Sequence, residues 1–139
     1  MSFPTALGHW LRSGWCGMTI LGLSVLARGL CYLPPVIPEG HKIPALETAL
    51  PLQAWTALWL IIGTLTLLCA AGRRAMAPMV GMCIGVHMLW ACLYVGAWIM
   101  GNSPRGYITA LSYVTISLIG LWAFGRGERT EVSVRIKKE

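Results

Sequence analysis

Two side chains in this sequence stand where an ionisable group costs free energy to keep: Arg28, inside the apolar run Gly14 to Leu33, and His87, inside the run Ala77 to Met100. Arg28 is near the end of its run. Its guanidinium can snorkel to a headgroup layer as an anchor, or turn inward to bind an anion or pair with Glu39 or Glu47. Gly17, Leu21, Ser24 and Cys31 share its helical face, and only Ser24 is polar, so that face is a poor polar pathway. His87 can relay a proton or serve as a ligand; alternatively it is a neutral ring hydrogen-bonded to a neighbouring helix or buried among tryptophans. No second histidine or carboxylate stands at ligand spacing from it.

Other chemistry has little to rest on. Cys16, Cys31, Cys69, Cys83 and Cys92 lie in or at the ends of apolar runs without Cys-x-x-Cys spacing, and read as small packing residues. No phosphate loop, nucleophile triad or metal motif occurs, so no catalytic residue, metal or cofactor is expected. No Asp or Glu falls in any apolar run: Glu39 and Glu47 precede the second, and Glu128, Glu131 and Glu139 follow the last. Proton-coupled carriers usually load protons on a membrane carboxylate, which argues against a small drug exporter and ranks a solute channel or carrier low.

Two helical faces are distinctive. On the third run, Gly81, Gly85, Met88, Cys92 and Gly96 form a small-residue stripe opposite His87, Trp90, Tyr94 and Trp98. The stripe is expected to pack against another helix, since missing side chains let backbones approach. On the fourth, Thr109, Tyr113 and Ser117 recur every fourth residue with Gly120, a pattern expected to make interhelical hydrogen bonds, with a pore lining as the second reading.

The elements that must position these residues are membrane spans. The chain is 56% hydrophobic and 12% charged over 139 residues, outside the range of soluble domains. Its four apolar runs each approach or exceed the roughly 20 residues needed to cross a bilayer. The expected fold is all-α, a polytopic four-transmembrane-helix bundle with spans at about 14–33, 52–71, 77–100 and 105–124. Residues 126–139 follow as a basic cytoplasmic tail, solvated or touching lipid. Prolines mark the boundaries: Pro34, Pro35, Pro38, Pro44 and Pro51 fill the first loop, with room for a surface turn over Pro44 to Leu50, and Pro78 opens the third span. Trp10, Trp15, Trp55, Trp59, Trp98 and Trp122 sit near span ends, as at a headgroup belt, while Trp90 is deep.

The net charge of +6 is a topology signal, not a nucleic-acid groove. Arg12, Arg73, Arg74, Arg126, Arg129, Arg135, Lys137 and Lys138 share one side; Lys42 and Arg105 fall on the other. Both termini are therefore expected in the cytoplasm and the protein in the cytoplasmic membrane. His9 and His41 then lie on opposite sides. A cleavable signal peptide ending at Val25-Leu26-Ala27 competes for the first span, but the apolar run continues to Leu33. A 53-residue shift lays Thr56-Ala57-Leu58 on Thr109-Ala110-Leu111 and Gly72-Arg73 on Gly125-Arg126. A shift of 64 lays Gly17-Met18 on Gly81-Met82. A duplicated helical hairpin, with parallel copies, is one reading of these matches; the small alphabet of apolar helices is the other.

The junction Pro51-Leu52-Gln53-Ala54-Trp55 with Ala57-Leu58-Trp59, the Trp90, Tyr94 and Trp98 ladder, and Arg105-Gly106-Tyr107 give most of the chain a pattern that resembles small four-helix, holin-like membrane proteins of actinobacterial phages and prophages. Arg28 and His87 are not part of that pattern. The resemblance implies a protein that oligomerises in the cytoplasmic membrane and permeabilises it, with no catalytic residues. The rival reading is a non-catalytic structural or regulatory subunit of a larger membrane complex. The expected partners are the lipid bilayer and further copies of the chain or such a complex.

Overall fold

The computed structural model describes residues 13–33 and 51–136, with side chains as far as residue 125. Their elements are helices α1 (Gly14–Cys31), α2 (Leu52–Ala71), α3 (Met76–Ile99) and α4 (Gly106–Ile136), with no strand among the described residues. All four are long and apolar enough to cross a membrane, α4 over Gly106–Gly125. Each begins and ends within two residues of the expected span, except at the end of α4. Expectations for His9, Trp10, Arg12, the first loop with its surface turn, and Lys137-Lys138 fall outside the described residues.

Local chemistry explains the boundaries. Ser13 caps α1 by accepting the Cys16 N–H at 3.4 Å. Pro51, extended at ψ 144°, occupies the corresponding position before α2. Helices α2 and α3 close with the same hydrogen-bond pattern. Arg73 and Arg74 donate to the carbonyls of Ala70 and Cys69, and Gly101 and Asn102 donate to those of Trp98 and Ala97. The left-handed residue this motif needs is Gly101 (φ 74°) after α3 but Arg73 (φ 50°) after α2. A side chain there costs about 1 kcal/mol, and Ala75 (φ 51°) repeats the cost three residues after Gly72. A tight reversal carrying Arg73 and Arg74 is thus kept at some local expense.

Helix α4 does not stop near Phe124. Its backbone runs on to Ile136, so the tail is largely a continuation of the last helix. No proline follows Pro104, and Gly125 and Gly127 each cost only about 1 kcal/mol against alanine, too little to end a helix already propagating.

The chain packs as two antiparallel hairpins, α1 with α2 and α3 with α4, joined mainly through α2 and α3. The first hairpin is closed by glycines. A Cβ at Gly63 would lie 2.7 Å from the Leu26 backbone nitrogen, and one at Gly29 would lie 2.8 Å from a Leu60 methyl. The second is closed by Gly106, 2.6 Å from the Tyr94 carbonyl by the same measure, with Gly120 in ordinary contact with Ile84. Inward positions follow a spacing of three and four, as in Val80, Cys83, His87, Trp90, Tyr94 and Ala97 of α3, or Ala110, Tyr113, Ser117 and Gly120 of α4. Outward positions are apolar, among them Ile20, Leu23, Ile61, Leu68, Leu111 and Leu118.

Candidate functional site

The interior between the two hairpins is aromatic. Trp90, fully buried, takes Trp55 and Trp59 edge-on at centroid distances of 4.8 Å each. Its indole N–H donates to the Tyr32 hydroxyl at 2.9 Å, across to the end of α1. Trp59, also fully buried, meets the His87 ring at 5.4 Å and Tyr113 at 6.4 Å. Tyr113 stacks on Tyr94 at 6.0 Å. Edge-on and offset pairs of this kind contribute about 0.5–1.5 kcal/mol each beyond their burial. All four helices supply a ring or its immediate neighbour, so the cluster joins the hairpins.

His87 belongs to this cluster and is almost fully buried. Its Nδ1 lies 2.7 Å from the Cys83 carbonyl oxygen, which can only accept, so Nδ1 carries a proton and the ring is tied to its own helix. Of the readings open for His87, the ring among tryptophans describes its surroundings. Its hydrogen bond is to its own turn and not to a neighbouring helix. One turn back, the Cys83 thiol sits 3.2 Å from the Thr66 hydroxyl. Among the described residues no three histidines, cysteines or acids gather as metal ligands would.

Arg28 does not reach outward as a snorkelling anchor would. Its guanidinium carbon stands 4.7 Å over the centre of the Tyr113 ring, and the side chain is partly buried. A cation over an aromatic face gains about 0.5–2 kcal/mol, more as water is excluded. Tyr113 therefore links Arg28 to Trp59 and His87.

The small-residue stripe is placed differently from expectation. Gly81, Gly85, Met88 and Cys92 lie on the exposed face of α3, with nothing within 4 Å of a Cβ at Gly81 or Gly85; Gly96 is partly exposed. Within the chain, the packing surface is the opposite face, through His87, Trp90 and Tyr94. Close backbone approach falls to Gly29, Gly63 and Gly106 instead, while Gly22 lies against the Thr66 and Leu67 side chains. On α1 the signal was legible: Met18, Gly22, Val25 and Gly29 alternate four and three residues apart.

The hydroxyl face of α4 does turn inward, with Tyr113, Ser117 and Gly120 buried and Thr109 partly so. The Ser117 hydroxyl, however, donates to the Tyr113 carbonyl of its own helix at 3.0 Å, not across to a neighbour. Thr66 likewise donates to Ile62 at 2.7 Å, and Thr19, Ser112 and Thr115 donate within their own helices. Between the two hairpins the buried side chains are the rings of Trp59, Trp90, His87 and Tyr113. Comparison of the chain with protein-family models, curated proteins and solved structures returns no match.

Proposed function

We propose that this protein crosses the cytoplasmic membrane four times with both termini inside, and acts as a small phage-type, holin-like protein that self-associates and permeabilises the bilayer. Membrane residence is supported by an outer surface of isoleucine, leucine and valine along four spanning-length helices. The orientation is supported by the lysine and arginine bias. The observation that carries self-association is the outward stripe of α3: Gly81 and Gly85 have no neighbour in their own chain, beside exposed Cys92. In lipid, such a face gains van der Waals contact when another helix backbone approaches it. With the interior of one copy filled by Trp59, Trp90 and Tyr113, permeation would arise between copies and not through one.

The test is controlled expression in a bacterial host with a potential-sensitive dye, beside an inert four-helix protein at the same level. The expected result is an abrupt loss of potential after a delay. Unchanged potential and growth at matched accumulation would sink the reading. A second reading, a non-catalytic subunit of a larger membrane complex, is favoured by α4, which runs 11 residues past the apolar part that ends at Gly125. At 1.5 Å per residue that extension is roughly 16 Å, long enough to engage a partner beyond the headgroups. Copurification of one partner at fixed stoichiometry, with no effect on potential, would select it.

A further inference from the structure

The aromatic cluster carries a cationic side chain and a buried indole N–H without a partner among the described residues. Arg28 presents five N–H groups, and no Asp or Glu falls within residues 13–33 or 51–125. Its guanidinium lies over the Tyr113 face, which attracts the charge but accepts no directed hydrogen bond in the guanidinium plane, and its charge also acts on the neighbouring His87. The Trp59 indole N–H, buried beside the same tyrosine, also has no acceptor. The nearby Thr66 and Ser117 hydroxyls face their own helix carbonyls. Among the described residues no carboxylate stands near Arg28, so a charged acceptor would come from outside them.

The position of Arg28 says where it comes from. It lies in the last turn of α1, four residues before Tyr32, about 6 Å along the axis from the helix end. Ser24, Ala27 and Cys31 on the same stretch of α1 are exposed, and Arg28 itself is partly exposed, with its guanidinium over the Tyr113 ring. We propose that Arg28, backed by Tyr113, is a binding site for a singly charged phosphate group at the end of the bundle where α1 stops and α2 begins. The planar guanidinium fork matches two phosphate oxygens, and the ring beneath holds the fork flat. The phosphate comes from an acidic lipid headgroup or from solution; both present the same oxygens. The site does not depend on self-association.

The experiment uses the purified full-length protein in mild detergent, with melting and native mass spectrometry as readouts. Phosphatidylglycerol should raise the melting temperature and be retained about tenfold over phosphatidylcholine, while Arg28→Gln should retain both equally. Arg28→Lys, which keeps the charge but not the fork, should bind phosphatidylglycerol several-fold more weakly than wild type. Because Arg28→Lys preserves the positive charge, it tests the proposal even if Arg28→Gln does not fold. Stabilisation by inorganic phosphate that Arg28→Gln abolishes would identify the soluble source; stabilisation by the lipid alone would identify the headgroup. Equal lipid retention by wild type, Arg28→Gln and Arg28→Lys would overturn the site. So would a Glu39→Gln/Glu47→Gln variant that melts as low as Arg28→Gln and is lowered no further when the two are combined, because a loop carboxylate would then be the acceptor.

Discussion

At the scale of single residues, the interior depends on a few polar atoms whose partners are specific. The Trp90 indole N–H reaches the Tyr32 hydroxyl at 2.9 Å while Trp90 itself is fully buried. Tyr32→Phe keeps the ring and its edge contact with Trp90 but leaves that N–H without its acceptor. The expected cost is about 1–3 kcal/mol, read as a lower melting temperature in detergent. Trp90→Phe, which removes the donor as well, should make Tyr32→Phe nearly silent in the double variant. Additive losses would mean that the hydrogen bond contributes nothing and the rings alone hold α1 to α3. His87 was legible as a buried ring among tryptophans, but its tie to the Cys83 carbonyl depends on a side-chain torsion that no sequence spacing specifies.

At the scale of elements, glycines in α2 and α3 serve opposite surfaces. Gly63 is pressed against the Leu26 backbone, and a methyl group there meets atoms that cannot rotate away. Gly63→Ala should separate α1 from α2 and lower stability by about 1–3 kcal/mol. Gly85 looks outward with nothing near it, so Gly85→Leu should leave the melting temperature of a single copy unchanged or slightly raised, since leucine favours the helix over glycine. The same Gly85→Leu substitution should weaken crosslinking between copies in membranes. A Gly85→Leu protein that melts lower as a dispersed monomer would mean that α3 is turned about its axis from the orientation described here.

At the scale of the whole molecule, two hairpins with apolar exteriors are joined by an aromatic interior, and the proposed membrane orientation of their ends rests on the charge pattern. In a variant lacking native cysteines, single cysteines at Lys42 and Ser103 should react with an impermeant thiol reagent in intact cells, and those at Ala75 and Ser133 should not. Labelling at Ala75 in sealed cells would reverse the orientation. The hairpins resemble one another in being antiparallel helix pairs. They differ in how they close, glycine on leucine at Gly29 and Gly63 in the first, glycine on carbonyl at Gly106 in the second.

Apart from the end of α4, the limits of the four helices were determined by sequence alone, because a run apolar and long enough to cross lipid is a local feature, bounded here by residues such as Pro51 that do not extend a helix. Which face of α3 turns inward was not so determined. A stripe of glycines and a stripe of aromatic rings are both sound packing surfaces, one for a narrow gap and one for a wide gap. The width of the gap is set by the neighbours. Gly22, Gly29 and Gly63 draw α1 and α2 together, and the space left between the hairpins is filled by Trp55, Trp59 and Trp90. Arg28 follows the same logic. Reaching a headgroup and lying over Tyr113 differ only by rotations of its side chain, and the choice rests on a ring carried by the last helix, which no reading of α1 contains.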